Sequence, residues 1–363
     1  MNDFQTQVDC IKNGAPHEKE AREFLEFIGN LSTGPESFHL RTLATWELFQ
    51  RTESLLDSDE FDVSNFADFL VDLKQRIEHA YKAQLEFSQK LDFSILTNND
   101  ADFRDATKDH YGNLFKKFTD IQYFDEAYQL LKTRLDRSGV SLGDLSSQRA
   151  LDAGCGGGRY SFALKSLGFG EVSGIDFSQL NIDNALKRKE SKGISDINFQ
   201  IGNVLDLPFE DSSFDFVFSN GVLHHTESTI KGLKEIRRVL KLKGKAWLYV
   251  IEKPGGLHWD MVEILRNLMQ PVSRDYARAF FALIGVPGNR IFYILDHIMV
   301  PINERTTIQE IEDLIYEAGF SNVYRLNRGA DFDRIEHLYR KRPKQKDLIW
   351  KYGVGEHRYI LTP

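Results

Sequence analysis

A glycine-rich segment, Leu151–Tyr160, reads LDAGCGGGRY. An apolar start followed by closely spaced glycines is typical of a buried strand that turns tightly into a helix, because glycine adopts left-handed backbone conformations at little cost. An acidic residue, Asp152, lies two positions before the first glycine. Such a carboxylate would repel the pyrophosphate of a dinucleotide. The segment therefore predicts an α/β fold with a site for a cofactor that carries positive charge.

The residues after this turn alternate between strand and helix patterns, as expected of a doubly wound sheet. Val172–Asp176 predicts a second strand that ends in an acid, about 20 residues after the glycines, where a carboxylate meets an adenosine ribose. Ile197–Ile201 and Phe214–Gly221 predict the third and fourth strands. Leu233–Lys241 then predicts a helix and Ala246–Glu252 a fifth strand.

This order of blocks resembles the class I S-adenosylmethionine-dependent methyltransferases, in particular the small-molecule group that includes the ubiquinone and menaquinone C-methyltransferases. The resemblance is close over Tyr111–Glu252 and looser over Thr306–Arg328. It implies a Rossmann-like seven-stranded sheet and methyl transfer from S-adenosylmethionine by in-line displacement, with S-adenosylhomocysteine as product and no metal. The implied acceptor is a small metabolite or natural-product intermediate. A peptide or protein side chain as acceptor, and a non-catalytic cofactor-binding scaffold, remain as alternatives.

The resemblance also implies which residues bind the cofactor. Asp176 is expected to bind the ribose, and Asn203 stands where the family commonly has an aspartate that accepts a hydrogen bond from adenine. An amide oxygen can accept the same bond. The full set is Tyr111, Asp152, Gly154, Cys155, Gly156, Gly158, Asp176, Phe177, Asn203, Val204, Leu205, Ser219 and Asn220.

Two histidines, His224 and His225, follow the fourth strand. Ligands bind at the carboxyl ends of strands in such sheets, and imidazole titrates near neutral pH, so one of them is a candidate general base. The alternative is a structural pair at the start of a helix. The sequence shows no Cys and His cluster with metal-ligand spacing.

The chain divides into four predicted parts. Residues 1–100 carry amphipathic helical patterns and predict a helical N-terminal domain, and residues 101–252 form the methyltransferase core. The segment 253–305 is an insert, far longer than the usual α/β connection of about 2 to 6 residues. Since it leaves the sheet after the fifth strand, we expect it to cap the acceptor site. Residues 306–363 return to the core, with a second insert at 329–353.

Composition and charge exclude some classes of binding partner and of location. A net charge of -8 over 363 residues disfavours nucleic acid, which selects a basic surface. Two cysteines are too few for a disulfide framework, and no apolar run approaches the roughly 18 residues of a membrane span. We expect a cytoplasmic protein with a small-molecule acceptor, and a homodimer through the N-terminal helices remains open.

Overall fold

A seven-stranded sheet organises one of the two compact units into which the chain divides. The computed structural model describes residues 11, 13–58, 60–88, 120–326, 350–353 and 357–363. The strands are β1 (Arg149–Ala153), β2 (Glu171–Asp176), β3 (Ile197–Ile201), β4 (Phe214–Asn220), β5 (Leu240–Val250), β6 (Asn322–Arg325) and β7 (His357–Thr362). Their order is β3-β2-β1-β4-β5-β7-β6. The first five pair in parallel and β7 is antiparallel to both neighbours, which confirms the predicted doubly wound fold.

Helices flank this sheet and build the second unit. In chain order they are α1 (Glu18–Gly29), α2 (Phe38–Asp57), α3 (Ser64–Ser88), α4 (Glu126–Arg137), α5 (Arg159–Leu167), α6 (Gln179–Ser191), α7 (Thr229–Val239), α8 (Gly256–Met269), α9 (Arg274–Leu283), α10 (Gly288–Ile298) and α11 (Ile308–Glu317). Among the described residues, no helix is both long enough and apolar enough to cross a membrane.

Both faces of the sheet are covered, which explains its nearly continuous apolar strands. On one face, Phe216, Phe218 and Trp247 pack with side chains of α4 and α5. On the other face, Val217 and Leu248 pack with α7 and α11. Because side chains alternate along a strand, neighbouring residues of β4 reach opposite cores.

The start of the fifth strand differs from its prediction. β5 begins at Leu240, not Ala246, and the preceding helix ends at Val239, not Lys241. Leu240 pairs with Phe214 ahead of an irregularity in the β4–β5 register. The fully buried Leu240 side chain joins the sheet core, so pairing with β4 prevails over the helical spacing of the sequence.

The second unit combines the N-terminal helices with the insert. Helices α1–α3 group with α8–α10 and with residues 350–353. Helix α8 is buried on nearly all sides because it packs against α2 and α1. His17, before α1, and Asp260, in α8, form a buried hydrogen bond of 2.7 Å between Nε2 and Oδ2. The insert therefore shares one core with the N-terminal helices.

Arg41 joins three parts of this unit. Its buried guanidinium donates to the carbonyls of Leu31 at 3.0 Å, Ser32 at 3.0 Å and Leu268 at 2.9 Å. These carbonyls lie near the C-terminal ends of α1 and α8, where helices leave carbonyl groups without intrahelical donors. Burial lowers the pKa of Arg41 to about 10, so the side chain stays charged at neutral pH and suits the negative ends of both helix dipoles.

Replacing Arg41 tests this role. Arg41→Met keeps an apolar stem but leaves several buried carbonyls without a donor, so we expect a loss of about 3 kcal/mol in the free energy of unfolding. The matched control, Arg22→Met, removes an exposed i,i+4 pair with Glu18 and should change stability by less than about 0.5 kcal/mol. Urea unfolding followed by circular dichroism measures both. Equal unfolding midpoints for the two variants would show that the Arg41 hydrogen bonds to these carbonyls do not stabilise the unit.

Candidate active site

The carboxyl ends of β1 and β4 flank the point where the sheet changes direction. From β1 the chain adds β2 and β3 on one side, then returns to place β4 on the other side of β1. Open α/β sheets bind ligands in the crevice at such a switch point. The glycine turn follows β1, and Asn220 ends β4. The predicted site residues of both segments therefore meet at one crevice.

The glycine turn needs its glycines. Gly154, Gly156 and Gly158 have φ values of 85°, 52° and 90°, the left-handed region that glycine favours. A Cβ on Gly154 would lie 2.5 Å from Val222 Cγ1, and one on Gly158 would lie 2.7 Å from Phe199 Cζ. The turn therefore has no room for side chains at these two positions. Helix α5 starts directly after it.

Asp176 ties the end of β2 to this turn. Its Oδ2 accepts the Gly156 N–H at 2.9 Å, and its Oδ1 accepts the Ser178 N–H and the Asn181 Nδ2 at 3.0 Å each. Burial raises the pKa of this carboxyl, and the three bonds oppose the rise. Each carboxylate oxygen can accept more than one hydrogen bond, so ribose hydroxyls can still be accommodated. Sequence analysis did not identify Ser178 and Asn181, since neither matches a cofactor motif.

Asp152 is a second buried carboxylate, on β1. Its Oδ2 accepts the Ser161 hydroxyl at 2.6 Å. Burial raises the pKa of Asp152 to about 7, the charge of Asp176 adds to the rise, and the bond from Ser161 opposes it. Cys155 is buried in the turn, and burial raises its thiol pKa well above the usual value, so it remains a neutral thiol.

The loop after β3 holds the predicted adenine residues. Asn203 Oδ1 accepts the Leu205 N–H at 2.9 Å, which closes a tight turn and uses one lone pair of the oxygen predicted to accept from adenine. The side chains of Val204 and Leu205 are buried, while that of Phe177, beside Asp176, is 41% exposed. An exposed aromatic side chain next to the ribose candidate is suited to packing on a purine. The adenine roles of these residues stay predictions.

The end of β4 presents two further polar side chains. Ser219 is fully buried, and its hydroxyl has no hydrogen-bond partner within the part of the chain that the structure describes. Asn220 accepts a hydrogen bond on Oδ1 from the Trp247 indole at 3.1 Å. Both residues were predicted to bind the cofactor, and both assignments stay predictions. Tyr111, the remaining cofactor candidate, lies outside the described residues.

The two histidines lie in a single 3-10 turn, Leu223–His225. His224 is buried and its ring centroid lies 4.1 Å from that of His225. Glu304 holds this turn and the start of α7, since its N–H donates to the His224 carbonyl at 2.9 Å and its carboxylate accepts the Thr229 hydroxyl at 2.7 Å. Sequence analysis missed Glu304, which comes from a distant segment. A catalytic role for either histidine stays a prediction.

These residues fit the positively charged cofactor that the resemblance implies. Two buried carboxylates lie near the carboxyl ends of the neighbouring strands β1 and β2, so Asp152 can attract an ammonium group and Asp176 can accept ribose hydroxyls. The glycine turn lets a ligand approach the backbone. Among the described residues, no group of three His, Cys, Asp or Glu side chains could hold a metal ion.

The raised pKa of Asp152 predicts a pH-dependent affinity for S-adenosylmethionine. The carboxyl becomes charged only as pH rises towards 7, so affinity should increase about tenfold between roughly pH 5.5 and 7.5. Asp152→Asn should bind weakly at both pH values. Ser161→Ala removes the hydrogen bond that lowers the pKa of Asp152. The pH at which the affinity of this variant for S-adenosylmethionine increases should therefore lie above that of wild type. Calorimetric titration measures the affinity of the three proteins as a function of pH. An affinity of wild type that does not change with pH would contradict the role of Asp152 in binding the ammonium group.

The raised pKa of Asp152 also predicts that ionisation of this carboxyl lowers the stability of the folded protein. A folded-state pKa above the unfolded value of about 3.9 means that the folded protein binds the proton more tightly. The free energy of unfolding should therefore fall as pH rises from about 4 to 7. Asp152→Asn lacks this decline and should be about 1 to 3 kcal/mol more stable than wild type at about pH 8. Urea unfolding without cofactor at pH 5 and pH 8 measures this difference, and a less stable variant at pH 8 would oppose it.

Comparison with known proteins shows which family the chain resembles. A family model for the methyltransferase domain matches residues 151–248. The demethylmenaquinone methyltransferase of Staphylococcus aureus is 33% identical over 227 residues, covering 59% of this chain and 84% of the relative.

Two solved structures align at low identity. PKMT2 from Rickettsia typhi is 17% identical and covers 65% of this chain and 53% of that chain, with a TM-score of 0.47. A Methanococcus maripaludis protein described as an S-adenosyl-L-methionine-dependent methyltransferase is 17% identical, covers 74% of this chain and 96% of that chain, and has a TM-score of 0.42. With a relative at 33% identity covered over 84% of its length, the chain belongs to the class I S-adenosylmethionine-dependent methyltransferases of the quinone methyltransferase type.

Proposed function

We propose that this enzyme transfers the methyl group of S-adenosylmethionine to a small ring compound of the quinol type and releases S-adenosylhomocysteine. The observation that carries the proposal is the match to demethylmenaquinone methyltransferase, which spans 84% of that relative. It favours a small-molecule acceptor over a peptide side chain or a purely cofactor-binding role.

The cofactor supplies a methyl group on a positively charged sulfonium, so the protein's contribution is to position the reactants and exclude water. Asp176 would bind the ribose and the glycine turn would take the methionine part, and the bond from the Gly156 N–H to Asp176 would hold the turn beside the ribose site. Asp152 would attract the ammonium of the methionine part. The Leu223–His225 turn, beside the end of β4, would then lie next to the acceptor, where Glu304 fixes its backbone.

The role of the insert 253–305 as a cap stays a prediction, as do a homodimer and a cytoplasmic location. Replacing the insert with a glycine linker would remove α8 from the core that it shares with α1 and α2. A loss of activity in such a deletion variant could come either from lost acceptor binding or from lost folding. Point substitutions therefore give the cleaner test of any cap.

Methyl transfer to demethylmenaquinone tests the acceptor. The reduced quinol ring is rich in electrons and can attack the methyl group, whereas the oxidised quinone cannot. We expect tritium from labelled S-adenosylmethionine in the extracted lipid only when the acceptor is reduced. Gly154→Val, whose side chain would collide with Val222, is the inactive control. Label in a peptide fraction of cell extract, with none in the quinol, would contradict the proposal.

Asp176→Asn tests cofactor binding separately from acceptor chemistry. The amide keeps the size of the side chain but loses the charge that strengthens hydrogen bonds to ribose, so affinity for S-adenosylmethionine should fall at least about tenfold. Asp183→Asn, in the helix α6 that follows Asp176 along the chain and bonded to the exposed Gln179, is the matched control and should bind normally. Unchanged affinity in a folded Asp176→Asn protein would refute the ribose role.

A further inference from the structure

Asn220 lies at the carboxyl end of β4, the sheet edge at which open α/β sheets bind ligands. It ends β4, at the crevice between β1 and β4, and its side chain is half-buried. By the two-residue period of a strand it follows Phe216 and Phe218 on one face of the sheet. Two residues further along the chain, Val222 lies against the glycine turn, because a Cβ added to Gly154 would be 2.5 Å from Val222 Cγ1.

Trp247 fixes the orientation of this amide. The indole is fully buried in the neighbouring strand β5, stacks on Phe218 at 5.6 Å between ring centroids, and donates Nε1–H to Asn220 Oδ1 at 3.1 Å. An indole nitrogen donates and never accepts a hydrogen bond. The oxygen of the Asn220 amide must therefore face Trp247, which removes the usual ambiguity between the two ends of an amide.

The NH2 end of Asn220 consequently points away from Trp247. Within the described residues, the bond to Trp247 is the hydrogen bond that this side chain makes. Two N–H donors remain to meet a bound molecule. Donors of this kind match the lone pairs of a hydroxyl or carbonyl oxygen, whereas the N–H groups of an amine need an acceptor.

We propose that Asn220 is a specificity residue that donates a hydrogen bond to an oxygen substituent of the acceptor, and that Trp247 is its positioning residue. The inference rests on the proposed function and narrows it, because it selects oxygenated rings such as phenols, enols and quinols over aromatic amines. It assigns Asn220 to the acceptor, whereas the sequence analysis assigned this residue to the cofactor.

Three variants separate these roles. Asn220→Ala removes the donor, and Trp247→Phe keeps the ring stack but releases the amide. The control, Phe218→Leu, loosens the same stack without touching the hydrogen bond. We expect a roughly tenfold lower kcat/KM for 1,4-dihydroxynaphthalene in Asn220→Ala and a three- to tenfold loss in Trp247→Phe. Affinity for S-adenosylmethionine should change less than twofold in both, and the double variant should lose no more than Asn220→Ala alone.

Binding of matched ligands tests the inference without turnover. Wild type loaded with S-adenosylhomocysteine should bind 1,4-dihydroxynaphthalene at least tenfold more tightly than 1,4-diaminonaphthalene, and Asn220→Ala should lose that preference. Equal affinity of wild type for the two ligands would overturn the inference, as would a tenfold loss of cofactor affinity in Asn220→Ala. If the losses of kcat/KM add in the double variant, or if Phe218→Leu loses as much kcat/KM as Trp247→Phe, then Trp247 acts only in packing and does not position Asn220. Discrimination in binding without methyl transfer would count against the proposed function instead.

Discussion

The hydrogen bond from the Gly156 N–H to Asp176 Oδ2 connects the two loops on which the site depends. The N–H groups of Gly154 and Cys155 also donate to the Ile175 carbonyl, at 2.9 and 2.8 Å. The turn after β1 is thereby fixed on the end of β2 before any ligand arrives. Such preorganisation lowers the entropy that binding must overcome, since the backbone need not reorder around the cofactor. A substitution at Asp176 therefore affects both ligand contact and turn geometry.

Two buried carboxylates near one another carry a cost in the protein without ligand. Burial raises the pKa of both Asp152 and Asp176, and the charge of Asp176 raises that of Asp152 further. A cationic ligand group beside Asp152 would offset part of this cost, so the arrangement disfavours the empty ionised site and favours a positively charged ligand. Stability sacrificed at a binding site in this way is common where function requires a particular charge.

Sequence alone predicted the sheet and the glycine turn, because strand periodicity and glycine spacing follow from local backbone geometry. It placed the start of β5 wrongly, since the pairing of Leu240 with Phe214 is a contact between distant residues. It did not reveal that α8 packs with α1 and α2, because an amphipathic pattern shows that a helix has a buried face but not which helix covers that face. The roles of Glu304 and Trp247 depend on hydrogen bonds between distant segments, which carry no motif.

Electron density for S-adenosylhomocysteine in crystals of the full chain tests the central claim most directly. The account predicts a ligand in the crevice between β1 and β4, with its ribose hydroxyls within about 3 Å of the Asp176 carboxylate and its methionine part along the Gly154–Gly158 turn. Density at another location, or a ribose that does not contact Asp176, would contradict it.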